Sequence, residues 1–451
     1  MEANQRNETI ISDLIRPVGI TKGFVIWISF LLIAFGACMY AYYIQLNVGL
    51  GVTGLRDYVS WGMYISNFVF FVATSLVGML ISAALGLAGV KWITPIARIA
   101  EIIALAFASV AGLIIIADMG RPDRLINVII HGRVQSPIVW DITVVTTYVA
   151  ISTLLLYLPL IPDMPILIKY KKNLPKWQEW IYKTLSLGWS GKPEQVAIIK
   201  KSMHFLIILI IPVALAIHTV TSWLFAATPR AGWNSTIIGP YFVTGAFVSG
   251  SAAVIIAMFF FRKNYNLHKY ITEYHFDKMG KLLVLVSLIY FYFNINEFLV
   301  PGYKLEKAES KHLYELFAGR YAVMFWASQL GGLIIPIILM LFKQLRKPLP
   351  MVIIASAVLI ASWLKRYIIV VPTQEHPFLP IQYLPEHFKV YSPTIIESAV
   401  TLGAFLLALI IITILSKLFP VITVWETVHE DEDKILRMKE KQILADVSSK
   451  N

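Results

Sequence analysis

Ten stretches of this chain are apolar over enough consecutive residues to cross about 30 Å of hydrocarbon. They fall roughly at 24–45, 59–86, 95–117, 138–160, 202–224, 237–260, 278–299, 321–342, 350–371 and 394–418. A bilayer offers no water to a bare backbone, so segments of this kind must close their hydrogen bonds internally as helices. The fold class expected is therefore all-α and integral to a membrane, with about ten transmembrane helices. With apolar side chains at 57% and charged ones at 15% of 451 residues, a set of soluble domains is excluded.

The net charge of +12 does not point to nucleic acid, because the basic residues sit in the short connections between apolar runs. They act as topology signals. Placing the N-terminus inside puts Arg6, Arg16, Lys22, Lys91, the lysines between Lys169 and Lys201, Arg262, Lys263, Lys269, Lys343, Arg346 and Lys347 on the cytoplasmic side, the richer of the two. An even number of spans returns the C-terminus to that side. The division expected is a cytoplasmic segment at 1–23, a membrane domain at 24–420 and a charged cytoplasmic tail at 421–451. No small-residue cleavage site precedes the first span, so no removable signal is expected. Between the fourth and fifth spans, Leu174 to Leu185 separates apolar from cationic residues at helical spacing and reads as a helix lying on the cytoplasmic surface. Cys38 is the one cysteine, so this chain alone can build neither a disulfide framework nor a thiolate-held iron–sulfur cluster.

Polar groups gather at the opposite, outer side. The third span ends at Asp118, in Asp118-Met-Gly-Arg-Pro-Asp-Arg124, and the loop runs on through His131 to Trp140-Asp141, where the fourth span begins. The fifth span carries His218 six residues before its end, roughly 9 Å below that boundary at ~1.5 Å per residue. Arg230, just beyond the fifth span, could close over them. Ionisable side chains at that depth cost free energy unless paired or used. Oxidising a quinol removes two electrons and two protons, and a histidine with partly buried carboxylates supplies bases for it between apolar walls. Blander roles stay open. Asp118 and Arg121 could close a helix end as an ion pair, Asp141 could favour a helix N-terminus, His218 could be a packing residue, and Arg121 and Arg230 could be interface anchors. Glu297, Lys365, Arg366 and Glu397 also lie near the outer side and are expected to pair with one another. Glu101, deep in the third span, could serve a proton path or pair with Arg98. A haem-bearing cytochrome is disfavoured because His204 and His218 share one helix with no opposing mid-span histidine. A transporter would place its polar groups nearer the midplane.

The motifs Trp61-Gly-Met-Tyr-Ile-Ser-Asn67, Asp118-Met-Gly-Arg-Pro122, Ser136-Pro-Ile-Val-Trp-Asp141, His218-Thr-Val-Thr-Ser-Trp223, Pro229-Arg-Ala-Gly-Trp233, Pro240-Tyr-Phe-Val243, Trp363-Leu-Lys-Arg-Tyr367 and Tyr391-Ser-Pro-Thr394 follow one another over about 20–420. In order and spacing the chain resembles the NrfD/PsrC family, membrane subunits of polysulfide-reductase-like complexes. It is most similar to the sulfite-reductase-associated and heterodisulfide-reductase-like branch. The resemblance implies two consecutive four-helix bundles, about 59–224 and 237–371, flanked by the first and last helices. It implies a subunit of a quinone-dependent oxidoreductase in a bacterial or archaeal cell membrane. A quinone, menaquinone above all, would bind near the outer surface beside a ferredoxin-like iron–sulfur subunit, with a cytochrome c or molybdopterin subunit as a further partner. Carried over, Asp118, Asp141 and His218 are the catalytic candidates, and Arg121, Arg230, Tyr64 and Asn67 line the quinone pocket. One departure stands out: where alternative-complex-III members carry an acid after the Ser-Trp pair, this chain has Leu224.

Overall fold

The computed structural model describes residues 2–171, 174–377, 383–429 and 431, and every regular element among them is helical. Ten helical spans succeed one another: α1 (Lys22–Val48), α2 (opening with Met63–Ser75), α3 (Thr94–Asp118), α4 (Pro137–Tyr157), α5 (Pro193–Ala226), α6 (Ile238–Asn264), α7 (Glu273–Lys304), α8 (Ala322–Leu341), α9 (Pro348–Gln374) and α10 (Ile395–Leu418). Nine of them are long and apolar enough to cross a membrane. The exception is α2. The expected span 59–86 is a regular helix only over Met63–Ser75, then passes through a π-helical stretch, Leu80–Ala84, to end at Leu87.

The break in α2 has a packing cause. Lipid is as apolar as leucine, so helices in a membrane associate through close contact and polar bonds rather than by escaping water. A Cβ on Gly78 would stand 2.5 Å from Ala104 Cβ and 2.6 Å from Ala100 O, so α2 and α3 approach backbone to backbone there. On its other flank a Cβ on Gly250 of α6 would stand 2.4 Å from Val77 Cβ. Clamped between α3 and α6, α2 is buried at every position from Met63 to Ser75 but Ile65. It is the central pillar of the fold. Helices α3, α4 and α5 pack in sequence on one side, and α6 to α9 on the other. At the edge α1 packs on α10, where Leu31 and Cys38 meet Leu406 and Ile410. Cys38 is thus a buried packing residue.

The end at which α1 begins, expected to be cytoplasmic, carries a buried ion pair held by further polar bonds. Arg98 Nη1 lies 2.5 Å from Asp163 Oδ2, with both side chains fully buried. Arg98 Nη2 donates to Pro159 O, and Asp163 accepts the backbone N–H of Val424 and Trp425. Of the two roles open to Glu101, the hydrogen-bonded pair with Arg98 does not form, because Asp163 takes the guanidinium and Glu101 accepts from Ser82 Oγ at 2.6 Å. The surface helix forms over Lys176–Leu185 with Trp177 and Trp180 exposed, and Tyr182 donates to Leu418 O. Val421, Ile422 and Val424, at the start of the expected tail, are buried; positions 430 and 432–451 lie outside the described residues.

Candidate functional site

Two polar groups occupy the end of the first set of helices opposite the Arg98–Asp163 pair, the end expected to be the outer one. The first joins α4 to α5. Pro137, at the start of α4, fits the first helical turn where no N–H is needed, and Asp141 follows one turn in, 2% exposed. Thr221 of α5 donates from Oγ1 to Asp141 Oδ1 at 2.5 Å. His218 lies three residues earlier, on the same face of α5, and is also 2% exposed. Its Nδ1 lies 3.4 Å from Ala214 O. A carbonyl only accepts, so the proton sits on Nδ1 and Nε2 is left as a lone-pair acceptor, buried and without a partner.

Aromatic rings roof this group. Phe225, one turn above Thr221, packs against Trp233 at 5.0 Å and Trp61 at 5.6 Å between centroids. Trp233 donates from Nε1 to Ile369 O, and Arg230 from Nη1 to Gln374 O at 3.3 Å. Gln374 in turn accepts from the backbone N–H of Trp61 and donates to its carbonyl. Arg230 thus ties the loop after α5 to α9 and to the entry of α2.

The second group surrounds Asp118. Tyr64 donates to Gln45 Oε1 at 2.5 Å, and Gln45 Nε2 donates to Ala117 O at 2.8 Å, which brings α1, α2 and the end of α3 together. Asp118 Oδ1 is buried without a partner and lies within electrostatic reach of Glu397. Glu397 is itself saturated: its carboxylate accepts from Gly54 N–H, Thr394 N–H and the Tyr391 hydroxyl. It is the far half of a capping box on α10, which is why it does not pair with Lys365 or Arg366 as the sequence led one to expect. Asn67 spends both polar atoms between helices, donating to Thr401 Oγ1 and accepting from Trp363 Nε1. Arg121 lies on the exposed turn after α3, bonded through two nitrogens to Asp123.

The structure therefore holds Asp141 against Thr221, one turn from His218 on α5, puts Arg366 of α9 within electrostatic reach of His218, and places Asp118 near Tyr64 in a second group. Thr221 and Gln45 were not singled out from sequence, although each left a trace. Thr221 is one helical turn from His218, and Gln45 is a lone amide in an otherwise apolar run.

A third group lies at the outer end of the second set of helices. A cavity of ≈ 40 Å³ is lined by Tyr241, Glu297, Glu309, His312 and Lys365 with apolar neighbours. Glu297 Oε2, Glu309 Oε2 and His312 Nδ1 are buried without partners. His312 stands on the short helix Lys307–Phe317, outside the membrane-spanning elements. Burial, then the neighbouring His376 and Lys365, push its imidazole down to about 3, so it stays neutral. Gly232, at φ +88°, lets its ring in: a Cβ there would stand 2.9 Å from Nε2. Nothing in the sequence of this amphipathic helix announced that His312 is buried. Among the described residues, no three His, Cys, Asp or Glu side chains converge as metal ligands.

A family model described as "Polysulphide reductase, NrfD" matches residues 51–377. The chain is 30% identical over 335 residues to a provisionally named dimethyl sulfoxide reductase membrane subunit of Halobacterium salinarum, covering 72% of this chain and 71% of the relative. It is 26% identical over 407 residues to a selenate reductase subunit of Mesobacillus selenatarsenatis, covering 87% and 93%. It is 23% identical over 398 residues to the Hdr-like menaquinol oxidoreductase integral membrane subunit of Archaeoglobus fulgidus, covering 85% and 90%.

Proposed function

Because the chain belongs to the NrfD (polysulphide reductase) family of multi-pass prokaryotic membrane proteins, we propose that it is the quinone-exchanging membrane subunit of a multi-subunit oxidoreductase. The observation that carries this reading is the buried Asp141–Thr221–His218 arrangement, with an unpartnered Nε2 beneath an aromatic roof. The names of two relatives, the selenate reductase subunit and the menaquinol oxidoreductase subunit, support it.

In this reading a menaquinol head enters between the helices at the outer end. One hydroxyl donates to His218 Nε2, and the Asp141 carboxylate, oriented by Thr221, serves as the second base. Oxidation releases two protons to these bases or to water beyond them, and two electrons to an iron–sulfur subunit docked on the outer face. Run backwards, the same groups reduce a quinone. Asp118, with Tyr64 and Gln45, lies on the route by which a proton would leave towards the α3–α4 loop, whose turn Arg121 and Asp123 brace. Arg230 holds the roof.

The test is binding of a fluorescent quinol analogue to the purified complex. Affinity is expected to fall in His218→Ala and in Asp141→Asn while both variants assemble. Two assembled variants that bind as the parent does would remove the reading.

A further inference from the structure

The interior of the second set of helices holds two adjacent cations, one of which, Arg366, makes no ion pair among the described residues. Lys365 and Arg366, consecutive on α9, are 5% and 2% exposed. Glu297 lies within electrostatic reach of Lys365. Arg366 has no ion pair among the described residues, and its Nε and Nη1 are buried with no hydrogen-bond partner. Its nearest compensation is the face of Phe242, 5.3 Å from the guanidinium. A buried charge left in this condition is costly, and a cation–π contact recovers only about 0.5–2 kcal/mol of it.

Beside the guanidinium lies a cavity of ≈ 20 Å³, whose walls include Tyr290, Ser328, Gln329, Ser362, Lys365 and Arg366. The hydrogens available in it can be counted. Ser328 Oγ donates to Phe325 O and Ser362 Oγ to Val358 O. The Tyr290 hydroxyl donates to Tyr241, Tyr241 to Asn294 Oδ1, and Asn294 Nδ2 to Gln329 Oε1 at 2.7 Å. That chain of bonds has one direction and leaves Gln329 Nε2 as its open end. Every wall hydroxyl has already given its hydrogen away, so the donors still free are Gln329 Nε2, the Arg366 guanidinium and the Lys365 ammonium. The wall is also held in place. Ser328 and Gln329 belong to the π-helical part of α8, Ala327–Ile334, a local widening that often marks a functional position. There a Cβ on Gly332 would stand 1.9 Å from Ala361 Cβ, so α8 and α9 are in close contact beside the cavity.

We propose that this cavity binds one small monovalent anion of halide size, held by Arg366 and Gln329, with Lys365 adding to the positive field. The cavity is small, which suits a compact anion close to the guanidinium. The anion supplies the counter-charge that Arg366 lacks. Arg366 lies within electrostatic reach of His218, although none of the cavity's residues is hydrogen-bonded to Asp141, Thr221 or His218, so the test reads the unfolding midpoint and not quinol binding.

The experiment follows thermal unfolding of the purified full chain in detergent, with sodium gluconate exchanged for sodium chloride or bromide at constant ionic strength. The midpoint is expected to rise with the logarithm of halide concentration, as linkage requires for a ligand of the native state. In Arg366→Gln and in Gln329→Leu that dependence should weaken at least ~10-fold in apparent affinity. Arg366→Gln also removes the unanswered charge, so in gluconate it should unfold no lower than the parent. If that variant does not fold, Gln329→Leu alone decides. Equal midpoints in gluconate and halide for the parent mean that water occupies the cavity, and overturn the proposal; so does halide dependence that survives unchanged in Gln329→Leu.

Discussion

Two sets of buried polar groups in the membrane domain are satisfied to opposite degrees. At the end where α1 begins, Arg98 and Asp163 satisfy each other and five carbonyl or N–H groups besides, leaving only Arg98 Nε unbonded in that pair. At the outer end Asp118 Oδ1, His218 Nε2, Glu297 Oε2, Glu309 Oε2 and His312 Nδ1 are all buried and unbonded. Each such atom costs about 1–3 kcal/mol. Gln178 Oε1, Arg262 Nε and Thr423 Oγ1 are also buried and unbonded at the same end as the Arg98–Asp163 pair, so the contrast is between that pair and the open acids and histidines, not between two whole ends. In the proposed function those open acids and histidines are the ones a ligand would meet.

The largest effect should come from breaking the closed end. Arg98→Leu strands the Asp163 carboxylate in a dry site, and removal of one partner of a buried pair costs about 3–5 kcal/mol. Thermal unfolding should show this loss, with part of it recovered in the Arg98→Leu, Asp163→Leu double variant. The folded fraction should bind a quinol analogue as the parent does. Loss of binding at unchanged stability would mean that the closed end also serves the site.

Next in size is a pH effect at the outer end. Unfolded, the His312 imidazole takes its proton near pH 6.5; folded, burial holds it neutral down to about 3. Between these values the unfolded chain carries the extra proton, so stability falls as pH falls. The slope from this group is about 1.4 kcal/mol per pH unit. His312→Gln should flatten the unfolding midpoint measured between pH 6.5 and 5. A curve unchanged by the substitution would show that another group sets the slope.

How much of this was legible beforehand follows from the kind of information each feature needs. The spans were, because about 20 apolar residues in a row have one solution in lipid. That Asp118, Asp141 and His218 lie towards one end of their helices was, because helix rise converts sequence distance into depth. Which polar groups meet across helices was not. Arg98 could reach Glu101 on its own helix, and the sequence could not say that Asp163, 65 residues on, would reach it first. Nor could it say that Glu397 would be used up by its own helix N-terminus and by Gly54. The break in α2 was hidden for a related reason: hydropathy records what a residue is, and the π-helical stretch depends on what Gly78 must fit against.

Within the open end, the link between Asp141 and His218 can be tested separately from either residue. Thr221→Val keeps the shape of the side chain and removes the one hydroxyl that holds the Asp141 carboxylate. A single hydrogen bond to a charged group is worth about 1.5–3 kcal/mol, so quinol-analogue affinity should fall by roughly 10-fold or more. Unchanged affinity would detach Asp141 from the site and leave His218 to carry it alone.

The smallest effect is expected where the open end meets water. Arg121 was a pocket candidate by its motif, yet it lies on the exposed turn after α3, and its bidentate partner is Asp123, two residues away in the same turn. An exposed pair of this kind is screened by salt and adds little to stability. Arg121→Gln should therefore leave both the unfolding midpoint and the quinol-analogue affinity where they were. What it can change is the attraction of the outer face for an acidic docking partner, a salt-dependent association rate. Stopped-flow docking at low and high ionic strength separates the two roles: a slower rate at low salt alone marks a docking charge, whereas a loss of analogue affinity at both would bring Arg121 into the pocket and blur the line between the open end and its rim.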